Sequence, residues 1–435
     1  MLKLLIYLLI LSLFVLDWLY LEHGIGIRQM TWFPEFISII VAVSIPFMTA
    51  INKQTHIPIK YILLIGIYLA HIIIGFLLND VNGWVILSGM RIYTKFIPIF
   101  LVMLIFTSVE EDVKKIIWLV FILSMLQFPI VVWQRFVLFA TSISGDPMGG
   151  TVGHSASGVL SIYLLIIISF LVSFYFKGII SLPFFLLSLA ASFIPTTLNE
   201  TKITFILLPI AFIFPAMFIK AKRKTILQVI LVLFIFASSF IVLRGIYNHF
   251  QQKRWGYGIE TFVMTPGRLE GYSKMRIDPI KHSFSNAVKD IRFLFFGRGA
   301  GNVSEGFTKK LSGKYIKEGE FYMVGRVSFP KMIWEIGILG TFIFFMFPFF
   351  IFIDAARLCR KEGLSSAFSL GMLSFSVLFS LSMFYTFTMD SNLLIYLFFL
   401  SAGYIAKQHA FQETTVKHHS NALYDESKLG TSCFH

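Results

Sequence analysis

The sequence predicts an all-α polytopic membrane protein of about twelve transmembrane helices, on three observations. Of its 435 residues 57% are hydrophobic and only 14% charged, where a soluble chain carries about a quarter charged. Apolar runs of roughly twenty residues recur from end to end, each long enough to cross about 30 Å of hydrocarbon. Lys and Arg alternate between the connections that separate those runs, the pattern left by loops retained on one face of a membrane.

The first run, 2–20, has a signal peptide's position but no small-residue cleavage site, and its length suits a spanning helix. Further spans are expected at 33–51, 60–78, 91–108, 115–139, 157–176, 178–195, 203–220 and 225–243. The fourth carries Arg91 and Lys95 inside it, and the pair 157–195 leaves almost no room for a turn. The long hydrophilic stretch 244–329 is expected as a loop with short helices. Three more spans follow at 330–353, 366–387 and 390–406, and 407–435 reads as a polar, mobile tail.

With a cytoplasmic N-terminus, the inner connections hold Lys53, Lys60, Lys114, Lys115, Lys177, the run KAKRK at 220–224, Arg357, Arg360 and Lys361. The opposite short connections hold little beyond Arg28, Arg91 and Lys202. This places both termini in the cytoplasm and the 244–329 loop on the outer face of the membrane. That loop has fifteen Lys and Arg against seven Asp and Glu. Long loops translocate regardless of charge, so the excess suits an anionic partner held close to the membrane, not nucleic acid.

Composition excludes several chemistries. Cys359 and Cys433 are too few and too far apart for a disulfide framework or a metal cluster, and no HExxH occurs. Neither metal nor cofactor is expected. FFGRGAGNVS (295–304) has the glycine density of a nucleotide loop, but it lacks a βαβ context and lies in an exported loop. Such a turn either serves packing alone, or its N–H groups and Arg298 hold a lipid-linked phosphate. Arg91 and Lys95, four residues apart, share one helical face, while Arg135 and Lys202 stand near outer helix ends. Membrane-embedded charges either snorkel to the interface or face a polar cavity, and these four fall on one side. His154 and His282 are lone histidines able to serve as a base or merely to pack. Outer carboxylates include Glu200, Asp278, Asp290 and, inside the tenth span, Glu335, with no pair spaced as acid and base.

Five stretches together carry a resemblance: GGTVGHSASGVLSIYLL (149–165), LNETKITFILLP (198–209), TPGRLEGY (265–272), LFFGRGAGNVSEGF (294–307) and GRVSFPKMIWEIGILG (325–340). They are similar to short motifs of the O-antigen ligase and polymerase family of bacterial inner membranes, over roughly residues 60–405. Lys202 stands where the family usually has Arg, which keeps the charge but loses the bidentate fork. Arg326 stands where ligases have a histidine, which favours a polymerase over a ligase joining glycan to lipid A core. A transporter would need a pathway lined from both faces, whereas the cations lie towards one.

The resemblance implies a GT-C-type architecture and metal-independent glycosyl transfer from an undecaprenyl-pyrophosphate-linked glycan to a lipid-linked acceptor. It implies pyrophosphate binding by Arg91, Lys95, Arg135, Lys202, Arg268, Arg298 and Arg326, with Gly299 and Gly301 shaping the turn. Arg298 and Arg326 would stabilise the departing charge, and Glu200, His154 or His282 would serve as base. Membrane lipid and a chain-length regulator protein are the further partners that such an enzyme implies.

Overall fold

The computed structural model describes residues 2–51, 58–105, 110–142, 145–154, 156–219, 223–255, 266–304, 306, 311–317, 324, 325 and 327–431, and every regular element among them is helical. Helices α1 (Leu2–His23) and α2 (Phe33–Ile51) are joined through a 3-10 turn at Arg28–Trp32. After α3 (Ile59–Leu78), α4 (Gly83–Thr94) and α5 (Ile97–Ile105) meet at a bend of 41°. Helices α6 (Glu110–Met125) and α7 (Gln127–Trp133) run into a π turn at Gln134–Leu138. Then come α8 (Ser157–Phe176), α9 (Leu182–Leu198), α10 (Ile203–Met217) and α11 (Arg223–Trp255). Between this part and the last three helices lie α12 (Pro266–Ala287), α13 (Ile291–Phe296) and α14 (Lys314–Lys317). The chain ends with α15 (Ser328–Leu358), α16 (Leu364–Ser382) and α17 (Asn392–Thr431).

Among the described residues eight helices are long and apolar enough to cross a membrane, and nine if α4 and α5 form one bent span. Their outward faces are apolar: Ile40, Val43 and Phe47 on α2 and Ile59, Leu63 and Ile67 on α3 are all exposed. A water-facing surface would not carry such stripes, so the chain is a polytopic membrane protein. Helices α9 and α10, with 17 and 15 residues, fall short of that length.

Several boundaries differ from expectation. The fourth span does not start at Arg91: Asn82 caps α4 by accepting from the Trp84 N–H at 3.0 Å, so the helix begins eight residues earlier, at Gly83. The ninth span, Thr225–Ile246, lies close to its expected bounds, but its helix α11 continues through the polar residues to Trp255. The hydrophilic stretch contains a 22-residue helix, α12, besides the short α13 and α14. The tail does not separate from the last span, since α17 runs unbroken to Thr431.

The tight pair 157–195 resolves into two helices with α8 at the centre. Helix α8 is apolar all round and buried along its length between α9, α10 and α16. Its hydroxyls are satisfied internally: Ser173 donates to the Ser169 carbonyl at 2.7 Å, and Ser161 donates to Asn199 Oδ1 at 3.0 Å. Lipid tails are as apolar as leucine, so the helices must associate by close packing instead. Small residues supply it. Gly371 on α16 receives the Phe170 ring of α8, and Gly403 on α17 lies where a Cβ would stand 2.7 Å from the Phe100 carbonyl oxygen. Phenylalanines fill the interior, with Phe96 stacked on Phe399 at 3.8 Å and Phe379 on Phe398 at 4.0 Å.

Polar pairs separate to the two ends of the bundle. At one end Lys60 and Tyr61 donate to the fully buried Asp354 at 2.5 and 2.7 Å, and Lys3 pairs with Asp112 at 2.5 Å. Lys177 donates to the Cys359 and Lys361 carbonyls at this end. The other end gathers Glu22, Glu35, Arg91, Arg135, Glu200 and Arg298, and it carries the candidate site.

Candidate functional site

The bend between α4 and α5 sets the geometry. Lys95 occupies it, and its carbonyl, released from the helix ladder, accepts from the Ser38 hydroxyl of α2 at 2.7 Å. The Lys95 side chain, 4% exposed, donates to Asn392 Oδ1 at 2.8 Å and the Asp390 carbonyl at 3.3 Å, with Glu35 at 4.0 Å. Glu35 also accepts from Arg91 Nη1 at 3.1 Å, and the Arg91 guanidinium lies 4.5 Å above the Trp32 ring. The Asp390 carboxylate receives Lys331 at 2.8 and 3.0 Å, and Asn392 reaches back to the Thr31 carbonyl at 3.2 Å. A ladder of alternating charges thus ties α2, α4, α15 and α17 together. Each buried charge has a partner, as a low-dielectric setting requires.

The ladder opens into a cavity of about 410 Å³ lined by Glu35, Arg91, Lys95, Ser88 and Thr94 among apolar side chains. Its wall includes Phe36, Ile39 and Leu87, which are 53%, 60% and 62% exposed, so the cavity opens towards the apolar surroundings of the bundle. Arg91 uses Nη1 on Glu35, and its Nη2 and Nε have no hydrogen-bond partner among the described residues. It therefore has donors to spare for an anion that enters from the lipid side.

One turn further along α15, Glu335 is fully buried. Its Oε1 accepts from the Val303 N–H at 2.7 Å and the Ser304 hydroxyl at 3.0 Å, and its Oε2 accepts from Tyr93 at 2.8 Å. These bonds pin the glycine-rich turn against α4 and α15. Gly297 (φ 67°) meets Gly337 (φ 71°), the residue at which α15 departs from helical geometry. A Cβ on Gly297 would lie 2.5 Å from the Glu335 carbonyl carbon, and one on Gly301 would lie 2.6 Å from the Val85 carbonyl oxygen. Gly299 faces Val81, and Gly301 backs onto Gly89 of α4. Several of the turn's amides are engaged: Arg298 N–H donates to the Trp334 carbonyl at 2.8 Å and Asn302 N–H to the Gly299 carbonyl at 3.2 Å. Gly297 and Gly301 hold backbone against backbone and Gly299 leaves room for the Val81 side chain, which accounts for all three without a ligand. Gly297→Ala combines left-handed strain with a clash against main chain, and we expect it to cost on the order of 3 kcal/mol. A melting curve in detergent matching that of the native protein would refute this.

The remaining sequence-derived residues are scattered around this end. Arg135 and Glu200 form a buried ion pair at 3.1 Å, with Glu200 in the left-handed region at φ 55°. Beside them Gln134 donates to Glu22 and accepts from the Gly150 N–H at 2.9 Å, which fixes the Gly149–Thr151 turn. Burial pushes the Glu22 carboxyl above the usual range, against the bond from Gln134. Lys202 is half-buried at the start of α10, and His154 is exposed beside Phe139. His282 stacks on Trp334 with ring centroids 5.5 Å apart. Arg298 lies over Phe293 at 4.3 Å and donates to the Tyr315 hydroxyl at 2.9 Å. Arg326 and the side chain of Arg268 lie outside the described residues.

Of the predicted cations, Arg91 and Lys95 line one cavity together, while Arg135, Lys202 and Arg298 are not among its lining residues. Sequence reasoning missed Glu35, Lys331, Asp390 and Asn392. Their signal was a polar residue at the edge of an apolar run, which reads as a boundary. Among the described residues no group of His, Cys, Asp and Glu is placed to hold a metal ion. Compared with known proteins, the chain matches no family model and no curated protein.

Proposed function

We propose that the chain is a bacterial polysaccharide polymerase of the inner membrane, which moves a glycan from an undecaprenyl-pyrophosphate carrier onto a lipid-linked acceptor repeat unit. The observation that carries this reading is the cavity holding Arg91, Lys95 and Glu35, because it combines an apolar, laterally open wall with two cations. A lipid-linked pyrophosphate has the matching chemistry: a chain for the apolar wall and an anion for Arg91 and Lys95. The resemblance of residues 149–165, 294–307 and 325–340 to the O-antigen ligase and polymerase family supports the same reading.

In the proposed reaction the bond from the donor's anomeric carbon to the pyrophosphate oxygen breaks, and the oxygen keeps the electron pair. Arg91 and Lys95 stabilise that charge as it develops, a role for which positioned cations are well suited. The acceptor hydroxyl forms the new bond to the anomeric carbon and yields its proton to a carboxylate. Glu35, which lines the cavity beside the two cations, takes this role in place of Glu200, which is not among the lining residues. The cavity end faces the periplasm in this scheme, and the Lys60–Asp354 end faces the cytoplasm, with twelve passes including α9 and α10.

Purified protein in liposomes, given lipid-linked repeat units from the source cell and no energy source, should build longer glycans. Intact repeat units after prolonged incubation, from protein that is folded and monodisperse, would sink the proposal. In cells, deletion should leave single repeats on the final acceptor, whereas accumulated lipid-linked polymer would indicate a ligase.

A further inference from the structure

A second cavity lies at the same end of the bundle, against the first turns of α4. It measures about 620 Å³ and is lined by Asn79, Asp80, Asn82, Trp84, Arg298, Asn302, Lys314 and Tyr315, together with Val81, Val85 and Ser312. Its character is opposite to that of the first. Trp84 offers a ring that is 58% exposed, and most other lining groups are amides, charges or hydroxyls.

Many of those groups have bonding capacity left over. Asn79 uses its amide N–H on the Gly75 and Gly297 carbonyls at 2.8 and 3.0 Å, which leaves Oδ1 without a partner among the described residues. Asn302 spends its amide on the Arg298 carbonyl, and Asn82 uses only Oδ1, as the helix cap. Arg298 donates through Nη1 to Tyr315, while its Nε is buried with no partner. The Asp80 carboxylate and the Lys314 ammonium make no hydrogen bond or ion pair among the described residues, although Lys314 lies 5.7 Å above the Tyr315 ring. The buried Nε is enclosed by the Phe293, Tyr315 and Trp334 rings, so it is Nη2, which has no hydrogen-bond partner among the described residues, that remains to meet an acceptor in the cavity.

We infer that this cavity is a saccharide subsite that accepts an acidic sugar. Trp84 supplies a stacking face for a pyranose ring, the three asparagines supply paired donors and acceptors for hydroxyls, and Arg298 with Lys314 receives a carboxylate. Asp80 offsets one of those two cations, which leaves one positive charge for the sugar's negative one. The two cavities share α4, with Trp84 and Val85 in one and Leu87, Ser88 and Arg91 in the other, and Leu311 and Ser312 divide between them. A glycan whose pyrophosphate sits at Arg91 can thus lay its sugars along α4 towards Arg298. The identity of the ligand as a glycan rests on the proposed function, but binding in this cavity can be tested without it.

Saturation-transfer NMR on the full-length protein in detergent, with glucuronic acid and glucose as probes, provides the test. Glucuronic acid should bind, roughly tenfold more tightly than glucose. Lys314→Gln alters an exposed side chain and Trp84→Ala an exposed ring, so neither disturbs the core, and each should weaken glucuronic acid binding. Arg298→Gln should remove the preference for the acid. Equal binding of the two sugars, or binding of the acid unchanged in Lys314→Gln and Trp84→Ala, would overturn the inference. Arg91→Gln separates the two readings: it should retain sugar binding while losing the pyrophosphate. Sugar binding by a native protein that builds no polymer would count against the polymerase reading alone.

Discussion

Replacing Glu335 by alanine is expected to cost about 3–5 kcal/mol and to deplete the folded protein recovered from membranes. The carboxylate is fully buried and receives three donors from two separate parts of the chain: Val303 and Ser304 in the glycine-rich turn, and Tyr93 in α4. Alanine leaves all three facing an apolar interior, where each unmet donor costs about 1–3 kcal/mol. It also removes a negative charge one helical turn from Lys331. Glutamine provides a sharper comparison. Its carbonyl oxygen can still accept from the Val303 N–H, and the Ser304 and Tyr93 hydroxyls can rotate to accept from its amide. Glu335→Gln should therefore lose only about 1–2 kcal/mol. Melting curves in detergent check both values, and an alanine variant as stable as the glutamine variant would show that Glu335 does not hold the turn.

The second large effect concerns activity. Arg91→Gln and Lys95→Gln should each reduce polymer formation by roughly 100-fold or more, the loss seen when one preorganised charge-stabilising donor is removed. Their structural consequences differ. Arg91 is partly exposed, and glutamine can still donate to buried Glu35 while Lys95 stays 4.0 Å away, so its replacement should cost only about 1 kcal/mol. Lys95 anchors Asn392 and the Asp390 carbonyl at the α4–α5 bend, so its variant should also melt earlier. The split makes Arg91→Gln the cleaner reading of the site.

Much of this was legible in the sequence, and the part that was not has a physical reason. Apolar runs locate helices well because a bilayer demands about twenty such residues whatever the tertiary fold. Arg91 and Lys95 stood out because charges inside an apolar run need a polar setting. Their partners did not stand out. Glu35 and Asp390 flank spans, where a carboxylate reads as a helix end, and the pairs they form join distant parts of the chain, which no periodicity reports. The start of α4 was missed because Asn82, its cap, precedes a stretch broken by charge. The glycine-rich turn shows the converse. Its glycines suggested an anion nest, and in the fold Gly297, Gly299 and Gly301 fit against Glu335 and Gly337, Val81, and Val85 and Gly89. Only the partner backbones separate those two uses, and they lie far away in sequence. Arg298 was legible as a functional candidate, but its aromatic surroundings and its cavity were not.

What the Arg91–Lys95 cavity holds decides the proposed function. The direct measurement is native mass spectrometry of the purified protein titrated with undecaprenyl pyrophosphate and, separately, with undecaprenol. The pyrophosphate should bind with one molecule per chain and the alcohol far more weakly, and Arg91→Gln should weaken pyrophosphate binding roughly tenfold or more in protein that still folds. Equal retention of the two lipids, or native affinity for the pyrophosphate in Arg91→Gln, would contradict the assignment of this cavity to a lipid-linked pyrophosphate.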